Sequence, residues 1–231
     1  MIEETKNGND DITHVYHLAD LHIRNLQRHT EYREVFKKFL AQVKKDNIEN
    51  SIIYLAGDIA HAKTEMSPEL VQEISWLLTE CAKLKDTFLI TGNHDCNLNN
   101  NNRLDVLTPI VENLNNPKVH YLRDTGVYPF KNLTFYVYSI LDHKDNWASG
   151  YDVKGENKIC LFHGPVNKST TDIGYMVASN SFSVEMFDGF DMAMLGDIHK
   201  RQCLQDFSEE FMEIEEDDLQ MYLDKGWVLD N

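Results

Sequence analysis

No cysteine pair at metal-binding or redox spacing occurs in this chain. Its four cysteines, Cys81, Cys96, Cys160 and Cys203, stand far apart. That spacing excludes a zinc ribbon or a Cys-x-x-Cys redox motif and fits small buried thiols in a reducing compartment. No apolar run approaches the roughly 20 residues needed to span a bilayer. The opening stretch, Met1 to Thr13, is polar and acidic and lacks the basic and apolar regions of a signal peptide. A soluble, intracellular (cytoplasmic) protein with no membrane partner is therefore expected. Basic excess is missing too: 22 Lys and Arg face 38 Asp and Glu, for a net charge of −16. Ten acids and one lysine between Asp206 and Asn231 account for −9 of it, leaving −7 on the first 205 residues. Such a balance gives no global pull toward nucleic acid. It does not exclude a nuclease, because bound divalent cations invert the charge at an active site. Internal repeats are absent, and the one biased segment is an asparagine-rich loop, Asn97–Asn102.

What is present is enough apolar material, 42% of 231 residues, for one sizeable core. Short apolar runs alternate with amphipathic ones in the first half. His14–Ala19, Ser51–Ala56 and Phe88–Ile90 read as buried strands. The stretch from His29 to Lys45 carries Tyr32, Val35, Phe36, Phe39, Leu40 and Val43 at helical spacing. Ser67-Pro68 opens a second helix, serine as cap and proline in the first turn. Arg103–Leu114 also reads as helical, with Pro109 predicting a kink or break. From Val119 the texture turns to strands: Val119–Leu122, Gly126–Phe130, Leu133–Ile140, Lys158–Phe162 and Asp191–Leu195. Residues 167–184 suggest a loop with one short helix. The order βαβαβα, then mostly β, predicts an α/β fold of two packed sheets flanked by helices.

One event recurs five times. A buried run ends, often at glycine, and metal-type side chains follow: Asp20 and His22, Asp58, Asn93 and His94, His163, Asp197 and His199. Alternation on an extended chain would turn Asp20 with His22, and Asp197 with His199, toward one site. Each pairing alone is commonplace at a turn. Five at the ends of buried runs are not a packing requirement. Carboxylate, imidazole and amide donors without thiolate suit Mn²⁺, Mg²⁺, Fe²⁺ or Zn²⁺. The donors outnumber what one ion needs, so two ions and phosphoester hydrolysis are expected.

In this order, Asp20-x-His22, Gly57-Asp58, Gly92-Asn93-His94-Asp95, His163 and Gly196-x-x-His199 resemble the calcineurin-like metallophosphoesterase superfamily. The resemblance implies a four-layer αββα sandwich of two mixed β-sheets flanked by helices. It divides the chain into a flexible start (1–12), a catalytic domain (13–205) and an acidic tail with a short helix (206–231). His17-Leu-Ala-Asp-Leu-His22, Gly57-Asp58-Ile-Ala-His61 and Ile198-His199-Lys200-Arg-Gln202 are most similar to the SbcD-like nuclease subunits of double-strand-break repair complexes. That likeness implies one ion on Asp20, His22, Asp58 and His199, and a second on Asp58, Asn93, His163 and Asp197, with Mn²⁺ as activator. His94 would serve the leaving oxygen, Asp95 would orient His94 or support the turn, and His61 would line the site. DNA ends, an SbcC-type ATPase and a second copy of the chain are the implied partners. Two departures stand out. The family has histidine where this chain has Asp197, and its members continue well past the last histidine with cap and ATPase-docking regions. Alternative readings are a phosphatase or phosphodiesterase for nucleotides, small diesters or phosphoproteins, and a non-catalytic remnant.

Overall fold

The computed structural model describes residues 10–63, 65–100, 103–171, 173–177 and 182–204. The expected tail helix after Asp206 lies outside them. Eight strands form two four-stranded sheets. The first holds β1 (His14–Leu18), β2 (Ser51–Leu55), β3 (Thr87–Leu89) and β4 (Val119–Tyr121) in that order. The second holds β5 (Gly126–Phe130), β6 (Leu133–Tyr138), β7 (Lys158–His163) and β8 (Met192–Gly196). Only β5 and β6 pair antiparallel. The first sheet is parallel throughout, not mixed, because the helices α1 (His29–Asp46), α2 (Pro68–Leu84) and α3 (Leu107–Leu114) make the three crossovers that return its strands in one direction.

Alternation within the strands builds the layers. On β2, Ile53 and Leu55 pack against α1, α2 and α3 (Leu107–Leu114), while Ile52 and Tyr54 face the other sheet. On β6 and β7, Phe135, Val137, Ile159 and Leu161 meet them between the sheets, and Tyr136, Tyr138, Cys160 and Phe162 face outward. Among the described residues that outer face is covered by Trp147, Phe182, Phe187 and Phe190 from loops and short 3₁₀ turns. Ile12 is packed between the sheets, its backbone held by Asn132, so the fold grips the chain before β1. Among the described residues no helix is long and apolar enough to cross a membrane, and no disulfide forms, Cys81, Cys96 and Cys160 being buried.

Two helix expectations resolve differently. Ser67 caps α2 by accepting from the Leu70 amide at 3.2 Å, as its position predicts. The segment 103–114 does not kink at Pro109. The helix starts only at Leu107, so the proline sits in its first turn, where a missing N–H leaves no hydrogen bond unmade. Buried Asp105 sets that start, accepting from the amides of Leu107 (3.0 Å) and Thr108 (2.7 Å) and from Arg123 Nε (2.8 Å).

Candidate metal centre

All five ligand-bearing segments leave the carboxyl ends of β1, β2, β3, β7 and β8, and they converge on one spot. Backbone pairing goes on beyond the strands. His22 donates to Asp58 O (2.8 Å), Ile23 to Ile59 O (2.9 Å) and His61 to Ile23 O (3.0 Å). The Tyr32 hydroxyl of α1 donates to His22 O at 2.7 Å. Simple alternation does not aim these side chains. Asp20, His22, Asp58 and Asp197 all have positive φ, between 45° and 86°, so each is turned by a left-handed residue past its strand. Such conformations cost of order 1–3 kcal/mol each and cluster where function requires them.

Close approach of the segments depends on Gly92. A Cβ there would collide with the amide and carboxylate of Asp58. At Gly57, φ is +81° and a Cβ would come within 2.6 Å of His163 Nδ1. Both positions exclude a side chain.

Among the described residues, three sets of possible ligands have donor atoms within 4.8 Å of one another: Asp20, His22 and His199; Asp20, Asp58 and His163; and His22, His61 and His94. Asp58 lies between the first two, 3.5 Å from His22 Nε2 and 3.3 Å from His163 Nε2. The structure thus brings together Asp20, His22, Asp58, His163 and His199, with Asp20 shared by both sets and Asp58 a member of the second. Asp197 sits at the margin, its carboxylate 3.8 Å from His163 Nε2 and its amide donating to Asp20 Oδ1 at 2.9 Å.

Two buried polar atoms test whether these residues fit a metal. His163 Nδ1 lies 2.6 Å from Ala56 O, which fixes it as the donor and leaves Nε2 as a lone pair in the neutral ring. That Nε2, buried, makes no well-directed hydrogen bond, although carboxylates stand near it. Asn93 Oδ1 is likewise buried without a partner. Unsatisfied buried acceptors are costly. A cation between His163, Asn93 and the carboxylates removes both penalties, so the residues fit a divalent ion.

The electrostatics agree. Burial resists the charging of His163, but the Asp58 carboxylate, 3.3 Å from its Nε2, prevails and pushes its pKa up to about 9. Burial also works against the Asp58 carboxylate, yet His163, the His94 amide and His22 hold it below its ordinary value. Asp20 and Asp197 are raised, mainly by burial. His22 is lowered to about 4 by burial, the charges of His94, His199 and His61 adding to the effect. The cluster draws a positive charge to its centre and keeps its outer imidazole neutral, as a ligand must be.

Asp95 does not orient His94. Its fully buried carboxylate accepts from the amides of Ala60 (2.8 Å), Gly92 (2.9 Å) and Ile59 (3.3 Å), tying the loop after β2 to the loop after β3. Burial raises its pKa to about 7 against those donors. The His94 ring is held by a group the sequence could not reveal, the backbone carbonyl of His61, 2.8 Å from Nδ1. The His94 amide donates to Asp58 Oδ1 at 2.7 Å, and its ring stacks on His61 at 5.2 Å. His61 therefore stands beside His22 and His94, at the rim of the centre.

Residues 13–201 match the sequence profile of the calcineurin-like phosphoesterase family. An uncharacterized protein of Acanthamoeba polyphaga mimivirus is 42% identical over 209 residues, which cover 85% of this chain and 15% of that relative. The chain therefore spans a small part of the relative's length. Among solved structures, the Pseudomonas putida nuclease MPE aligns over 73% of this chain and 72% of its own, at 14% identity and a TM-score of 0.35.

Proposed function

Because the chain belongs to the calcineurin-like phosphoesterase family, and is on that ground a metal-dependent phosphoesterase, we propose that it hydrolyses phosphodiester bonds of DNA with two divalent ions, Mn²⁺ as activator. The observation that carries the reading is the convergence of Asp20, His22, Asp58, His163 and His199, with buried acceptors on His163 and Asn93 that a metal ion would satisfy. Asp20, His22 and His199 would hold one ion, with Asp58, His163 and Asn93 holding the other beside Asp20. When bound, the ions supply Lewis acidity to the phosphoryl oxygens and lower the pKa of the attacking water.

The protein's own groups do the rest. His61 O accepts from Nδ1 of His94, so Nε2 is the nitrogen left to serve a leaving oxygen. Asp95 keeps the two central loops in register, and Ala56 O keeps the lone pair of His163 facing inward.

Exposed cations next to the ligands in the chain support a polyanionic substrate. His199, Arg24, Lys200 and Arg201 are exposed. Arg24, Lys200 and Arg201 lie within two residues of the ligands His22 and His199 in the chain and would supply local positive charge for phosphate in an acidic chain.

Purified protein with Mn²⁺ is expected to degrade linear duplex DNA, with Asp58→Asn abolishing turnover. DNA should also compete with bis-p-nitrophenyl phosphate when both are present. Turnover of the small diester with none of DNA would leave a small-substrate phosphodiesterase in its place.

A further inference from the structure

The ligand His199 stands on a segment, 197–204, with no regular secondary structure. Its ring Nε2 lies 3.2 Å from His22 Nε2, a hydrogen bond when one of the two nitrogens carries the proton. Within it the Gln202 side chain makes four hydrogen bonds. Gln202 Oε1 accepts from Thr170 N at 2.8 Å and from Thr170 Oγ1 at 3.2 Å. Its Nε2 donates to Thr170 O at 2.9 Å and to Lys200 O at 3.1 Å.

The pattern is that of a strand partner made from a side chain. One primary amide serves both the N–H and the C=O of one residue, as a paired residue does in an antiparallel ladder, and only Asn and Gln offer both functions. The bond to Lys200 O passes the constraint to the residue next to His199. At the other end Thr170 is a firm anchor. It bridges Met176, its neighbour Ser169 pairs with Val177 at 2.8 Å, and Ser169, fully buried, is bonded to Val166 O at 2.5 Å. Val166, fully buried, lies three residues after His163. Gln202 therefore couples the loop after His163 to the loop bearing His199.

We infer that Gln202 is a positioning residue that sets His199 as a ligand by clasping Thr170. The inference rests on the metal-centre reading and deepens it. Outer groups that orient metal ligands change affinity by roughly 10- to 100-fold. Mn²⁺ titration calorimetry on the full chain, with thermal unfolding of the metal-free protein alongside, tests it. Gln202→Leu should weaken one of two ions by about that factor, leaving the other ion and the metal-free unfolding midpoint as in wild type. Gln202→Glu keeps the acceptor half of the clasp and should fall between. Thr170→Val removes only the longest bond and should bind as wild type. Wild-type affinity at both sites in Gln202→Leu would overturn the inference, as would loss of both ions together with a lowered metal-free midpoint. A wild-type chain that takes up no ion would instead overturn the metal centre itself.

Discussion

His163 faces a backbone carbonyl with one nitrogen and two carboxylates with the other, and its charge state has a measurable consequence. In metal-free protein its pKa is pushed up to about 9, against an ordinary value of 6.5. A raised folded-state pKa means that the contribution is fully present below 6.5 and is lost as pH rises through 9. At roughly 1.4 kcal/mol per unit of separation, this amounts to a few kcal/mol. Urea unfolding of chelator-treated protein should show that decline, and His163→Asn should flatten it. Saturating Mn²⁺ should flatten it as well, since the cation replaces the proton. At Asp197, where the family has histidine, the carboxylate stands 3.8 Å from His163 Nε2. Asp197→Asn keeps a residue type that tolerates positive φ and removes the charge. We expect about tenfold weaker binding of one ion, the scale of a supporting ligand contact. Unchanged affinity in a metal titration would take Asp197 out of the ligand set.

At the scale of the element, the site consists of strand ends and the loops that leave them, and buried carboxylates hold those loops. Asp95 binds three backbone amides across two loops. Asp95→Ala leaves them buried without partners, at roughly 1–3 kcal/mol for each lost acceptor. The expected result is a destabilisation of about 3 kcal/mol or more in denaturant unfolding, with activity falling alongside it. Lost activity at unchanged stability would instead return Asp95 to a direct role with His94. Asp105 acts similarly one element on, joining the start of α3 to Arg123. Gly92 is the steric counterpart. Gly92→Ala forces Asp58 away from the centre, and metal uptake should be lost even where the chain still folds.

Over the whole molecule, two sheets direct five strand ends to one place, and their charges repel unless a cation sits among them. Metal should therefore stabilise the entire fold. An ion at 100 times its dissociation constant contributes about 2.7 kcal/mol. Differential scanning calorimetry should show a midpoint rising with Mn²⁺, and Asp58→Asn should remove most of the rise. Periodicity placed α1 and α2 well, because their apolar faces repeat over many turns. It failed at residues 103–106, where the start of the helix is set by Asp105 and its distant partner Arg123. The parallel first sheet was equally hidden, since strand direction depends on the crossovers and not on the strands themselves.

The sequence by itself determined the ligand types, their place after buried runs and the family to which they belong, because donor chemistry and strand-end position are properties of local residues. Tertiary structure alone decided how those donors are shared. Asp20 stands with both ligand sets, and the carbonyls of Ala56 and His61 assign the ring nitrogens of His163 and His94. It also gave Asp95 to the loops and Gln202 to Thr170. Backbone groups are the same at every position, and what distinguishes these carbonyls and amides is only which side chain the fold brings to them.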